Sequence, residues 1–165
     1  MFKNKQPIYK VQLRSADKIL EGVIFALLVL TWTYVYISYQ SLPATIPTHF
    51  DGSGKVDDMG DKSTVWMLPA ISTVLYLFIT LVNNFPQIFN YLEDITPDNV
   101  AQQYTMATRM VRFLKLIVVL VFGSIVLATI YPGNYQTGIA LLPLTLSVLL
   151  FLPGLVFFLL SSRKG

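Results

Sequence analysis

The chain has 165 residues, of which 54% are hydrophobic and only 13% are charged, and its formal net charge is +3. Soluble domains contain about 25% charged residues, so this composition leaves too few polar side chains to cover a soluble surface. The absence of cysteine excludes disulfides, thiolate metal sites and a cysteine nucleophile. The length suits a single domain.

A polar, basic arm occupies residues 1–19, and four apolar runs follow it. Each run has the roughly 17–25 residues that a helix needs to cross a bilayer; they lie at about 20–39, 65–82, 111–130 and 137–160. The runs lack the alternation of barrel strands, and backbone in lipid must satisfy its own hydrogen bonds. The sequence therefore predicts an all-α integral membrane bundle of four transmembrane helices over residues 20–165.

The basic residues are distributed unevenly around these runs. If both termini lie on one side of the membrane, that side holds ten of the twelve Lys and Arg residues, and the loop 40–64 holds only Lys55 and Lys62. Lys and Arg in short flanks stay in the cytoplasm, so we expect both termini to be cytoplasmic, in the inner membrane of a bacterium. The loop 40–64 is then extracytoplasmic. Attraction to anionic lipid of the inner leaflet explains the basic excess, and nucleic acid is not an expected partner.

Aromatic residues agree with this orientation. They cluster where the first run ends, where the second begins and where the third ends, as an aromatic belt at one membrane interface does. The residues are Trp32, Tyr34, Tyr36, Tyr39, Trp66, Tyr131 and Tyr135.

The outer loop contains the signals of a small hairpin. Asp51-Gly52-Ser53-Gly54 is a strong turn signal, because Gly accepts positive φ and Asp bonds to nearby backbone. Thr48–Phe50 and Lys55–Val56 flank it as short strands. We expect this hairpin to cover the helix ends, with Phe50 and Val56 packed down on them.

The same loop also contains the only histidine and several carboxylates. DGSGKVDD begins like a calcium loop, but Lys55, Val56 and Lys62 occupy positions that an EF-hand gives to an oxygen ligand, a glycine and a bidentate glutamate. His49, Asp51 and Asp57 are a candidate ligand set for a divalent metal, although one His without Cys is a weak zinc signature. Otherwise no cofactor is expected. A general base, a pH-sensitive imidazole and a purely structural role for the histidine stay open.

The predicted cytoplasmic connection, residues 83–110, leads into the third apolar run. Thr96-Pro97-Asp98 combines an N-cap residue, a proline at the first helical position and an acid in the first turn. It predicts a helix that begins there and continues to Ile130. Lys115, just inside the apolar run, is expected to snorkel back to the inner interface. The middle of each run lacks Asp, Glu, Lys and Arg, which argues against a pump or transporter.

The stretch LPATIPTHFDGSGKVDDMGDKS, followed by VWMLP, resembles the short membrane family catalogued as domain of unknown function 1648. The family's best-known relatives are SdpI-type proteins, which are bacterial immunity proteins against a secreted peptide toxin and also hold a repressor at the membrane. The resemblance raises the weight of a binding role for His49, Asp57 and Lys62. The residues that match the family pattern are Leu42, Pro43, Ile46, Pro47, His49, Phe50, Gly54, Asp57, Lys62 and Pro69.

The leading expectation is a non-enzymatic membrane protein that binds or senses an extracytoplasmic peptide or small ligand through the outer loop. One alternative is a metal-assisted membrane enzyme that uses His49 and the loop aspartates. Another is an accessory subunit, or a homo-oligomer, that packs against partner helices through small residues such as Gly123 and Ser124. The expected loop site consists of Pro47, His49, Phe50, Asp51, Gly54, Asp57 and Lys62.

Overall fold

The computed structural model of the protein describes residues 6–131 and 141–162. The fold is mostly helical, with one two-stranded antiparallel sheet between the first and second helices. The longest helix, α3, contacts each of the other three helices. The elements are α1 (Ser15–Ser38), β1 (Thr45–Phe50), β2 (Val56–Asp61), α2 (Met67–Val82), α3 (Val100–Ile130) and α4 (Leu142–Ser162).

Three helical segments of the described residues are long and apolar enough to cross a membrane: Ser15–Ser41, Lys62–Val82 and Val100–Ile130. They correspond to the first three predicted spans, so a multi-pass membrane protein is the consistent architecture. The predicted fourth span, at about 137–160, falls partly outside the described residues. Its described part is α4, and a crossing of the membrane by α4 stays a prediction.

Several sequence-based expectations concern residues outside the described part of the chain. These are the basic residues at the two ends of the chain and one tyrosine of the predicted aromatic belt: Lys3, Lys5, Tyr135, Arg163 and Lys164.

The helices bury narrow apolar stripes and leave wide apolar faces exposed. Ile24 and Leu28 of α1 pack with Val119 of α3 in the middle of the bundle, whereas Phe25 and Leu30 of α1 are 55% and 62% exposed. Such exposed apolar surface suits hydrocarbon rather than water, because a soluble helix places polar residues on its outer face.

Close packing between α1 and α3 uses Gly123, one of the two small residues that the sequence offered for partner helices. A Cβ atom at Gly123 would lie 3.4 Å from Oγ1 of Thr31 in α1. The neighbouring Ser124 is buried and donates its hydroxyl to the carbonyl of Val121. Gly123 therefore allows a close approach of α1 to α3, the Ser124 bond lies within α3, and packing of a partner helix against these residues stays a prediction.

Helix α3 begins later than its sequence signals predict. Its first residue is Val100 rather than a residue next to Thr96. The side chain of Asn99 accepts a hydrogen bond from the Thr96 amide at 2.9 Å and donates to the Asp94 carbonyl at 3.0 Å. These two bonds hold the preceding residues in a turn, and the helix has 31 residues.

The bundle has two chemically different ends. The hairpin lies with the end of α1, the start of α2 and the end of α3, where Ile46 packs with Val35, Val65 and Val126; we call this the hairpin end. The start of α1, the end of α2 and the first half of α3 meet at the opposite end, where oppositely charged side chains pair; we call this the ionic end.

The described part of the amino-terminal arm is tied to the ionic end. The hydroxyl of Tyr104 in α3 donates to the carbonyl of Pro7 at 2.9 Å, and the Gln6 amide donates to the carbonyl of Phe89 at 3.4 Å. The ring of Tyr91 stacks on that of Tyr104 at 5.4 Å. The arm, the 83–99 connection and the start of α3 therefore form one packed unit.

Candidate functional site

The turn of the hairpin is organised by the carboxylate of Asp51. Its Oδ1 accepts hydrogen bonds from the amide and the hydroxyl of Ser53, at 2.8 and 2.7 Å, and from the amide of Lys55 at 2.9 Å. These bonds, with that from the Ser53 side chain first, lower the pKa of Asp51 below its ordinary value. The turn that the sequence predicts is confirmed, and its hydrogen bonds engage Oδ1 of Asp51.

Two glycines make the hairpin sterically feasible. Gly54 has a φ of 80°, a left-handed conformation that costs other residues roughly 1–2 kcal/mol. Gly60 faces Thr48 across the two strands, and a Cβ atom there would lie 2.7 Å from Cγ2 of Thr48. Glycine is thus required at position 54, which belongs to the family pattern, by the backbone conformation, and at position 60 by the close packing of Thr48.

The strands are longer than predicted, and β1 contains a deeply buried residue, Ile46. The pairing extends from Phe50 opposite Val56 to Thr45 opposite Asp61, with irregular register on both sides of His49. Ile46 is 1% exposed in the core of the hairpin end, whereas Phe50 and Val56 are only half-buried. Phe50 and Val56 lie beside the turn, and Phe50 lines a cavity together with residues of the helices, so the expected packing of these two residues on the helix ends stays a prediction.

His49 and Asp57 form a side-chain pair on the hairpin. Nδ1 of His49 lies 2.5 Å from Oδ1 of Asp57, and the two side chains are 66% and 46% exposed. A carboxylate at this distance holds the imidazole in one orientation and favours the tautomer with its proton on Nδ1. The strand pairing brings together two residues that are eight positions apart.

Lys62 supports the junction between the hairpin and the helices. Its backbone amide donates to the carbonyl of Ala44 at 3.0 Å. Its ammonium lies 3.5 Å from the carbonyl oxygen of Tyr39 and 4.8 Å from the centre of the Tyr39 ring. Next to it, bonds from the Ser63 side chain and amide lower the pKa of Asp61. These contacts give Lys62 a structural role at the end of α1.

Aromatic rings surround this junction, as the predicted belt requires. The ring of Trp66 lies 5.2 Å from that of Tyr39 and 6.1 Å from that of Trp32. The indole N–H of Trp32 donates to the hydroxyl of Thr73 at 3.0 Å. Aromatic residues from α1 and from the start of α2 are thus gathered at the hairpin end.

A cavity of about 650 Å³ lies between β1 and the helices α2, α3 and α4. Its volume is within the range of about 300–1,000 Å³ that small-molecule sites occupy. Most of the lining is apolar, with a few hydroxyls, the imidazole and one carboxylate along the hairpin side. The lining residues are Ile46, Pro47, Thr48, His49, Phe50, Asp51, Gly52, Thr64, Val65, Met67, Leu68, Ile71, Ile125, Thr129, Leu141 and Pro143.

The seven predicted loop-site residues divide into two groups. Pro47, His49, Phe50 and Asp51 line the cavity. The other three support the hairpin from outside the lining: Asp57 holds His49, Gly54 forms the turn and Lys62 contacts Tyr39.

The predicted metal ligands do not assemble. Within residues 6–131 and 141–162, no group of three or more His, Cys, Asp or Glu side chains is placed to hold a metal ion. His49 and Asp57 pair with each other, while Asp51 binds the turn backbone. In the described residues His49, Asp51 and Asp57 thus do not form such a group, and a divalent metal held by these three side chains stays a prediction.

Sequence reasoning missed the charged cluster of the ionic end. Lys115 is completely buried, and its ammonium lies 2.5 Å from Oε2 of Glu21 and 2.9 Å from the hydroxyl of Thr80. It also lies 4.8 Å from the centre of the Tyr76 ring. The expectation that Lys115 snorkels to the interface is wrong, because α1 and α2 supply buried partners for its charge.

Two arginines complete this cluster. Arg109 forms two hydrogen bonds with Asp17, at 3.0 and 3.2 Å. Nε of Arg112 lies 3.2 Å from Oε1 of Glu21 but is not aligned for a hydrogen bond, and its buried Nη1 has no partner in the described part of the chain. Spacing was the available signal: acids four apart on α1 and cations three apart on α3 each share a helix face.

Comparisons with known proteins find similarity to a family of unknown function and to an uncharacterized protein, and they assign no function to the loop motif. Residues 26–73 match a family described as "Domain of unknown function (DUF1648)", which confirms the resemblance seen in the outer loop. An uncharacterized protein of Archaeoglobus fulgidus is similar at 35% identity over 69 residues, which is 37% of this chain and 38% of that relative. The chain thus spans well under half of that relative's length. No solved structure matches the chain. The relationship to SdpI-type proteins stays a prediction.

Proposed function

We propose that this is a non-enzymatic, multi-pass membrane protein that binds an extracytoplasmic peptide or small ligand at the hairpin end. The cavity of about 650 Å³ under β1 carries the proposal. It joins four residues of the loop motif to apolar side chains of three helices, so a ligand there would contact both the motif and the bundle.

Charge asymmetry supports an outward-facing hairpin. The ionic end carries the described basic residues of the amino-terminal arm and of α3, including Lys10, Arg14 and Arg109. Because basic flanks are retained in the cytoplasm, we place the ionic end inside and the hairpin outside a bacterial cytoplasmic membrane. If α4 crosses the membrane as well, both termini are cytoplasmic.

Cavity occupancy can be tested with a variant that fills the cavity. Ile71 lies on the cavity wall and is 42% exposed, so Ile71→Trp adds bulk there without overpacking a buried core. Leu77 on the same helix is 53% exposed and lies outside the lining, so Leu77→Trp is the matched control. Each protein is extracted in mild detergent and examined by native mass spectrometry.

Support for the proposal is a bound mass on the wild type and on Leu77→Trp that is lost from Ile71→Trp. The same bound mass on all three proteins, or a bound mass on none of them, would contradict it.

The resemblance to SdpI-type proteins suggests a peptide toxin as one ligand and the 83–110 connection as the route of any signal. The packing of Gln6 and Pro7 onto that connection and α3 is consistent with such a route. Cells that express the wild type, His49→Ala or no protein are challenged with a secreted peptide toxin. Immunity requires that only the wild type raises survival; equal survival with and without the protein removes the immunity role.

A further inference from the structure

A short basic segment, residues 8–18, leads into the first helix at the ionic end. It is held against α3 at two points. Just before it, the carbonyl of Pro7 accepts a hydrogen bond from the hydroxyl of Tyr104 at 2.9 Å. Near its end, Asp17 pairs with Arg109. The basic segment therefore has a fixed place beside α3.

The two contacts fix the depth of the basic segment relative to a bilayer. The Asp17–Arg109 pair lies next to the first residues of the apolar runs of α1 and α3, and hence at the edge of the hydrocarbon. Tyr104 lies five residues before Arg109 in the same helix, which is about 7.5 Å along the helix axis. The polar head-group layer on each side of a bilayer is about 5–8 Å thick. Residues 8–14 therefore lie within the head-group layer.

The exposed charges of the basic segment are all positive. Lys10, Arg14 and Lys18 are exposed, and none of them forms an ion pair with another described residue. The apolar side chains of Ile8 and Leu13 are also exposed, at 91% and 43%. Cations next to exposed apolar groups are typical of segments that lie on anionic membrane surfaces.

The acidic side chains of the ionic end do not cancel these charges. Asp17 and Glu21 are engaged by cations of α3. The acids of the 83–99 connection precede the start of α3, where the side chain of Asn99 donates to the carbonyl of Asp94 at 3.0 Å. This point is about 13 Å along the helix axis from the level of the Asp17 pair, beyond the head-group layer. The acids of the connection are Glu93, Asp94 and Asp98.

We propose that residues 8–18 are a docking surface for anionic phospholipids of the leaflet at the ionic end. The anionic head groups contact Lys10, Arg14 and Lys18, while Ile8 and Leu13 enter the apolar boundary of the leaflet. A neutral phospholipid satisfies only the apolar contacts, so anionic lipid becomes enriched around the segment. This surface is separate from the cavity at the hairpin end, and the proposal holds whether or not that cavity binds a ligand.

The absence of cysteine allows a site-specific test with the full chain. A bimane fluorophore is attached to the thiol of Ile8→Cys, and the protein is reconstituted in nanodiscs of phosphatidylcholine and phosphatidylglycerol. Either a portion of the phosphatidylglycerol or an equal amount of the phosphatidylcholine is brominated, so the head-group composition stays the same. We expect brominated phosphatidylglycerol to quench the fluorophore about fivefold more strongly, or better, which is the effect of one basic residue near an anionic surface.

Neutralising the basic segment should remove this preference. With Lys10→Gln, Arg14→Gln and Lys18→Gln combined in one chain, the two brominated lipids should quench equally, because the apolar contacts do not distinguish them. High salt should act in the same direction, since it screens exposed charges. The matched control is Lys55→Gln, the same change of charge on the hairpin, which should leave the preference unchanged.

Two kinds of result would overturn the proposal. Equal quenching by the two lipids without the glutamine substitutions, or a preference that survives them, would remove the anionic docking surface. Quenching by neither lipid would show that the segment lies away from the bilayer, open to a protein partner instead. The bound-mass test of the cavity is independent of all these outcomes.

Discussion

Replacement of Glu21 by Gln tests the buried charges of the ionic end. The substitution keeps the size of the side chain, removes its charge and replaces one of its two acceptor oxygens by an NH2 donor. The carboxylate of Glu21 has one oxygen 2.5 Å from the ammonium of the completely buried Lys115 and the other 3.2 Å from Nε of Arg112. Both cations lose this negative partner in the variant. The other partners of Lys115, a hydroxyl and an aromatic ring, carry no formal charge.

The size of the effect follows from two opposing contributions. Unit charges 2.5 Å apart attract by about 7 kcal/mol at an effective dielectric constant of about 20. Desolvation of the two ions opposes this attraction by several kcal/mol, so the pair adds little net stability when it is intact. Removal of the Glu21 charge leaves the desolvation cost of the Lys115 ammonium uncompensated. We therefore expect Glu21→Gln to lower the free energy of unfolding by about 3–5 kcal/mol.

The matched control is Glu93→Gln, the same chemical change at an exposed residue of the 83–99 connection. It should change the free energy of unfolding by no more than about 0.5 kcal/mol. Both variants are unfolded in mixed micelles with increasing fractions of a denaturing detergent, and helix content is followed by circular dichroism. If Glu21→Gln is as stable as Glu93→Gln, the buried pairing described for Lys115 is refuted.

Three further predictions concern the hairpin. Gly60→Ala should destabilise it by about 1–3 kcal/mol through overpacking, because the new methyl group would overlap Thr48, whereas Gly52→Ala meets nothing within 4 Å and should be tolerated; amide hydrogen exchange of the strands compares the two, and equal protection would contradict the clash. Folding lowers the pKa of Asp51 below its ordinary value of 3.8. The carboxylate therefore stabilises the folded hairpin fully above pH 3.8, and this stabilisation is lost as pH falls through the pKa of the folded state. Loop amide protection should therefore fall in acid less steeply in Asp51→Asn, and identical acid profiles would argue against this role. Lys62→Met should lower the melting temperature slightly and leave the bound mass in native mass spectrometry unchanged, because the ammonium contacts the end of α1 and lies outside the cavity lining; loss of that mass would restore Lys62 as a ligand-binding residue.

Much of this architecture could be predicted because its determinants are local. The length and apolarity of a run decide whether its helix can cross hydrocarbon, and three predicted spans coincide with helices that meet this condition. The turn at Asp51 was also predictable, since one carboxylate bonds to the next few residues of the same segment. The extent of the strands was not, because pairing as far as Thr45 opposite Asp61 depends on where the helices hold the two ends of the loop.

The sequence predicted which residues belong to the candidate site but not what each of them does. The motif identified His49, Asp57 and Lys62 together, and only the folded chain separates a cavity-lining imidazole from the carboxylate that orients it and from the lysine that supports a helix end. Sequence distance cannot make this distinction, because residues close along a hairpin can point toward different surroundings.

The sequence by itself determined that the chain is apolar enough for a membrane, where its helices lie and which short loop holds its polar motif, since these depend on composition and on neighbours along the chain. Only the tertiary structure decided that Lys115 is paired with Glu21 instead of reaching the interface, and that three helices and a strand line an open cavity together with His49. Both outcomes depend on side chains from segments far apart in sequence, whose distances are set by helix packing.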